Sequence, residues 1–281
     1  MTDTNLVAFN QRLCDFIDAS PTPFHAVKTM TNSLDSAGFI QLDERQSWAN
    51  IEAGQYYVTR NDSSLIAFTL PDTQLADVGF KMMGAHTDSP CLHVKPQPEK
   101  TVQGLCQLGV EVYGGALLNP WFDRDLSMAG RVNYVDSNNV LQDALVNFEQ
   151  AVAIIPSLAI HLDREANKNR TVNTQQHLPP ILMQGDETSE FDFRELLKQQ
   201  VLKQTPTLDI VNVLDYEICL YDVQNAAVTG LNEDFISSAR LDNLLSCFVG
   251  LEAILACDAQ QPAVLVCSDH EEVGSLSTSG A

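Results

Sequence analysis

Apolar residues at Leu6, Phe9, Leu13, Phe16 and Ile17 recur at helical spacing, and the cluster Ser20-Pro21-Thr22-Pro23 ends the run. Thr22 suits an N-cap and Pro23 a first helical turn, so a second helix is expected through Val27, Met30 and Leu34, stopping near Gly38. His25 falls in its first turn, where a structural role is the expected one. Residues 56–59 and 64–70 read as strands joined by a turn at Asn61-Asp62. A third apolar run over residues 78–83 predicts a strand that Gly84 breaks just before His86, Asp88 and Pro90.

From about Lys95 to Gly230 the pattern changes to short β-like runs, with turn signals at Gly114-Gly115, Asn119-Pro120 and Asn138-Asn139 and one helical stretch over residues 193–202. This is the pattern of a domain inserted into another. After it, Leu241, Leu244, Leu245, Phe248, Leu251, Ile254 and Leu255 follow the 3.6-residue period of a long helix, which Ser237 or Ser238 is placed to cap. A strand over residues 263–267 then runs into Ser268-Asp269-His270-Glu271-Glu272-Val273-Gly274. The expected fold class is α/β, a sheet sandwiched by helices and interrupted by an inserted, mainly β domain: residues 1–95, 96–230 and 231–281.

Charge narrows the partners. With a formal charge of -21, the protein's field repels nucleic acid and anionic membrane surfaces, and no run is apolar enough to span a bilayer. Eleven acids against three bases between residues 181 and 236 read as a solvated face, with no metal-ligand spacing among them. Seven scattered cysteines without a C-x-x-C pair suit reduced thiols in a cytoplasm, and none is assigned a catalytic role. The first ten residues lack the basic region of a secretory signal.

Candidate chemistry sits where strands end. If the extended backbone persists through Asp88, period-2 alternation sends His86 and Asp88 to the same side, so the carboxylate can fix one imidazole tautomer while the other nitrogen binds a metal. Asp242, near a helix start, and Glu271 and Glu272, at the next strand end, extend this to one crevice at the carboxyl edge of the sheet. Imidazole with carboxylates suits zinc, manganese or cobalt, and adjacent glutamates can divide the work between binding metal and accepting a proton. Each motif alone is equally an exposed acidic turn or a helix-dipole partner; their recurrence at successive strand ends is what favours a site.

The stretches GAHTDSP (84–90), YGGALLNPWFDRDL (113–126), IPSLAIHLDR (155–164), SARLDN (238–243) and DHEEVGS (269–275) together resemble the aspartyl aminopeptidase family of two-metal aminopeptidases. The resemblance implies a proteolytic α/β domain interrupted by a dimerisation domain, dimers and larger symmetric homo-oligomers, and removal of one N-terminal residue from peptides, acidic residues being typical substrates of many members. It implies two divalent ions, zinc foremost, with His86 a ligand of one, Asp242 the bridging carboxylate and Glu272 a ligand of the other. It also makes Glu271 the general base, Asp88 the residue orienting His86, and His161 a group reaching a neighbouring subunit's site. His270 and His93 match no ligand position, and Trp121, Asp123 and Arg124 carry only a structural assignment.

The family pattern places a further Asp and a further His ligand well beyond DHEE, whereas this sequence runs to Ala281. These residues are accordingly read as the amino-terminal part of a longer enzyme, or as a truncated gene product, inactive on their own. A non-catalytic assembly or regulatory subunit of the same family is the alternative, separable by metal content. A metal-dependent deacylase or carboxypeptidase is separable by which substrate end must be free.

Overall fold

A computed structural model describes residues 4–72, 75–185 and 191–280 of the chain. In chain order the elements are α1 (Thr4–Asp18), α2 (Pro23–Ser36), β1 (Ile40–Gln41), β2 (Gly54–Arg60), β3 (Ser64–Leu70), α3 (Leu75–Val78) and β4 (Lys81–His86). Then come β5 (Cys91–Val102), β6 (Leu105–Tyr113), β7 (Leu126–Val135), β8 (Leu141–Asn147), α4 (Thr174–His177), β9 (Ile181–Gln184), α5 (Phe193–Gln204) and β10 (Asn212–Asp222). The chain closes with β11 (Ala227–Thr229), β12 (Phe235–Ser237), α6 (Leu241–Leu255) and β13 (Ala263–Ser268). The architecture is mixed α/β and divides into two compact units, residues 1–89 with 225–281, and residues 90–224. The first boundary falls a few residues before the 95 read from the sequence because β5 already belongs to the second unit's sheet from Cys91 onward, and the second before 230 because β10, the last strand of that sheet along the chain, ends at Asp222.

In the first unit a five-stranded sheet has the order β1-β2-β3-β13-β4. Asn61 and Asp62 take φ of 55° and 54°, the left-handed pair that closes a tight hairpin between β2 and β3. Strand β13 then enters between β3, to which it is antiparallel, and β4, to which it is parallel. The helical stripes seen in the sequence cover one face: Leu13, Phe16 and Ile17 of α1, Val27, Met30 and Leu34 of α2, and Leu244, Phe248 and Leu251 of α6 share a core with Tyr57, Leu65, Ala67, Leu265 and Cys267. The opposite face leaves Ile66 40% and Met82 72% exposed.

The structure corrects three expectations. Gly84 does not break the strand before His86 but lies inside β4, opposite Val266. Val78 ends a short helical turn instead of opening a strand; Gly79, at φ 65°, turns the chain so that β4 starts at Lys81. Ser237 and Ser238 do not cap α6, since Ser237 pairs with Ala227 in a two-stranded ribbon and the Ser238 hydroxyl donates to the Ala239 carbonyl. Arg240, at φ 58°, stands before α6, and its guanidinium donates to the Ile17 carbonyl at 3.2 Å.

Thr22 does cap α2, its side chain accepting from the His25 amide and lying 2.8 Å from His25 Nδ1. Burial drives His25 from the ordinary 6.5 down to about 4. Between those pH values the unfolded chain takes up a proton that the folded chain refuses, so the His25 contribution is complete above pH 6.5 and is lost as pH falls toward 4. The loss amounts to roughly 3 kcal/mol. An NMR titration should find His25 neutral down to about pH 5, and a midpoint near the free-histidine value would contradict its burial.

The second unit is a six-stranded antiparallel sheet of order β8-β7-β10-β5-β6-β9. Leu92, Val94, Leu108, Val110, Ile218 and Leu220 face its core, where Phe193, Leu197 and Val201 of α5 also lie. Asp192 caps α5 by accepting from the Glu195 amide, and Phe193 meets Tyr216 edge-on at 5.1 Å. Of the acids clustered between residues 181 and 236, Asp186, Glu187 and Glu190 lie outside the described residues.

Candidate metal centre

The parallel pairing of β4 and β13 sets Ser268 opposite His86, so both strands leave the sheet side by side. The turn after β4 is strapped down. The Thr87 amide donates to the Ser268 carbonyl at 2.8 Å, the Thr87 hydroxyl to the Ser63 carbonyl at 2.6 Å, and the Cys247 thiol to the His86 carbonyl at 3.1 Å. His86 is 9% exposed and Asp88 1%.

Asp88 holds both strand ends in place. One of its carboxylate oxygens lies 3.2 Å from His86 Nδ1 and its own carbonyl oxygen lies 3.1 Å from the same nitrogen. Both neighbours are acceptors, so Nδ1 is held as their donor and Nε2 is turned outward as the nitrogen that can bind a metal. The carboxylate also accepts the Glu271 amide at 3.2 Å and the Glu272 amide at 3.1 Å, tying the second strand end to the first. His270 at φ 61° and Gly274 at φ 62° bracket the short 3-10 turn Glu271–Val273 and make these amides converge.

Around Nε2 stand more carboxylates. Asp242 Oδ1 lies 3.3 Å away on a side chain 79% exposed, and Glu271 Oε2 lies 3.7 Å away on one 52% exposed. Asp242 reaches this position because the first turn of α6 is not helical there: its ψ is 107°, and the Ser89 hydroxyl donates to the Asp242 carbonyl at 2.7 Å. Ligand atoms of His86, Glu271 and Glu272 fall within 4.8 Å of one another. Glu272 is held above the usual carboxylate range, chiefly by burial and then by repulsion from Asp88, with Asp242 and Glu271 adding to it and His86 opposing. A lone pair facing carboxylates that repel one another is relieved by a cation, and one imidazole with several carboxylates is a donor set that fits zinc or a similar divalent ion.

The structure thus brings together His86, Asp88, Asp242, Glu271 and Glu272. His161 lies in the second unit, exposed, in the stretch between β8 and α4. His270 turns to Asp269, with Nε2 3.3 Å from Oδ2. The capture of the Glu271 and Glu272 amides by Asp88 was not read from the sequence; the only signal was the αL-tolerant His-Glu-Glu-Val-Gly stretch, which leaves the direction of the amides open.

A family model described as aminopeptidase I zinc metalloprotease (M18) matches residues 16–281. A protein of Azotobacter vinelandii described as a probable M18 family aminopeptidase 2 is 57% identical over 274 residues, covering 97% of this chain and 63% of that protein. One of Pseudomonas aeruginosa LESB58 with the same description is 55% identical over 273 residues, again covering 97% of this chain and 63% of its own length. The chain therefore spans less than two thirds of the length of these relatives. Among solved structures, the cryo-electron microscopy structure of the Ape4 and Nbr1 complex matches with a TM-score of 0.90 at 34% identity, over 97% of this chain and 56% of that one. Chaetomium thermophilum mApe1 matches at 0.87 and 32%, over 98% and 65%, and the S. cerevisiae mApe1 dodecamer at 0.83 and 27%, over 98% and 64%. By a family match over nearly its whole length and by relatives more than half identical, this chain belongs to the M18 family of aminopeptidase I zinc metalloproteases.

Proposed function

We propose that the whole protein is a metal-dependent aminopeptidase that hydrolyses the N-terminal residue from peptides, with His86, Asp242 and Glu272 as ligands and Glu271 as general base. The observation that carries this reading is the His86 imidazole, whose Nδ1 is fixed by Asp88 and whose Nε2 faces Asp242 and Glu271. Two divalent ions, zinc foremost and manganese or cobalt as substitutes, with Asp242 as their common ligand, are what the resemblance implies; bound there, they would make water more acidic and the scissile carbonyl more electrophilic.

The chain's own groups do the rest. Asp88 keeps the imidazole in the metal-binding tautomer and orients the two glutamates through their amides. Glu271, the more exposed of the pair, takes a proton as water oxygen attacks the first peptide carbonyl carbon. When the C–N bond breaks, the same carboxyl returns that proton to the leaving amine. An acidic N-terminal residue is the preference to assay first, on the resemblance to aspartyl aminopeptidases. Exhaustive chelation should abolish peptide hydrolysis and zinc, manganese or cobalt should restore it; full activity with metal analysis confirming an empty site would sink the proposal.

Self-association is supported by the dodecamer formed by yeast mApe1. We place the inserted unit at the dimer contact, His161 at a neighbour's site, and the protein in the cytoplasm, in keeping with seven thiols and no disulfide. Among the described residues no helix is long and apolar enough to cross a membrane. If His161 serves a neighbouring site, mixing His161→Ala with Glu271→Gln subunits should give activity above either parent, because some sites regain both groups. No gain in verified mixed oligomers would count against the shared site.

A further inference from the structure

The second unit carries a donor cluster that the aminopeptidase reading does not use. Cys91 and His93 are two residues apart on β5 and so project to one face of the sheet, while Cys219 on β10 pairs directly with His93. Leu92, Val94, Ile218 and Leu220, the alternate residues on the same strands, point the other way into the core. The two sulfurs and one imidazole nitrogen come within 4.8 Å of one another. Tyr113, which pairs with Cys91 from β6, stacks on the His93 ring at 4.6 Å with the planes 1° apart and so holds the plane of the imidazole.

We propose that Cys91, His93 and Cys219 form a second zinc site, of the Cys2His type, on the face of the inserted unit's sheet turned away from its core. Two sulfurs and an imidazole are soft to borderline donors, which select zinc over magnesium or calcium, whose sites are built from oxygen. Cys219 is buried while Cys91 and His93 are half-buried, so the site is open on one side and water can complete a tetrahedron. The Cys219 side chain hydrogen-bonds with both Cys91 and His93, so the three donors already converge. All three donors lie on paired strands, so the sheet's own hydrogen bonding organises the site before any ion arrives. A site of this kind would brace β5 against β10 where the chain enters and leaves the inserted unit.

The test uses the whole chain, reduced and stripped of metal, with cobalt as the probe. In a Glu272→Ala background, which weakens the centre at His86, cobalt should give the near-ultraviolet charge-transfer absorption of thiolate ligation, and zinc should displace it. The band should vanish in Cys219→Ser and Cys91→Ser. Its absence, or its survival in both cysteine variants, would overturn the site. A second measurement needs no variant: zinc should slow alkylation of Cys91 and Cys219 at least about ten-fold, read peptide by peptide, while half-buried Cys257 labels at an unchanged rate. Equal labelling with and without zinc overturns the proposal. So does a Cys91–Cys219 disulfide that forms to the same extent in both conditions, which would identify the two as a redox pair.

Discussion

Replacing Glu271 with Gln in the whole enzyme should lower turnover about 10²–10⁴-fold while leaving the metal content intact. Glutamine keeps the volume and the backbone amide that donates to Asp88 at 3.2 Å, and removes only the proton acceptor. Glu272→Ala, one residue away, should fail in another way, losing metal as well as activity, because its carboxylate is a proposed ligand held in a half-buried position among like charges. The raised affinity of Glu272 for protons has a corollary: on acidification a proton competes with the ion for this carboxylate over a higher pH range than for an ordinary glutamate. Activity and metal content measured together on the two variants separate the roles. Near-normal turnover of Glu271→Gln with metal retained in both would show that the division is wrong.

Asp88→Ala should be the most damaging change at a residue that touches neither substrate nor, on this account, metal. It removes the carboxylate acceptor of His86 Nδ1, leaving only the Asp88 carbonyl at 3.1 Å, and the acceptor of the amides of Glu271 and Glu272, in a place that is 1% exposed. Losing the partner of a metal-binding histidine costs about 10–100-fold in metal affinity. Two part-buried amides left without their acceptor cost up to about 1–3 kcal/mol each, so the midpoint of thermal unfolding should drop as well. Asp88→Asn keeps the shape and one acceptor oxygen, and should fall between wild type and Asp88→Ala in both metal affinity and unfolding temperature. A full-affinity, full-stability Asp88→Ala protein would mean that the glutamate turn is positioned by something else.

Much of this was readable in the sequence because it rests on short-range chemistry. The helical stripes of α1 and α2, the Thr22 cap, the Asn61-Asp62 turn and the period-2 relation of His86 to Asp88 each depend on neighbours a few residues apart. What was missed depends on partners far along the chain. Ser237 resembles a cap because nothing local reveals that it pairs with Ala227 instead. Asp242 is readable as lying in or beside a helix start and in the crevice with His86, but not the extended ψ that turns it there. His93 and the cysteines look idle for the same reason: Cys219 meets them only through a strand register that spans more than a hundred residues. Cys91-x-His93 at strand spacing is the one local hint.

The central claim is that His86, Asp242 and Glu272, gathered where β4 and β13 end and α6 begins, hold a divalent ion, with Glu271 beside it as the base. Anomalous scattering at the zinc edge from crystals of the zinc-loaded protein measures this without reference to turnover. The account predicts a peak about 2.0–2.1 Å from His86 Nε2, with carboxylate oxygens of Asp242 or Glu272 at a similar distance. A zinc-loaded crystal with no peak at Nε2, or with His86 bound through Nδ1 and Asp88 turned away, would contradict it.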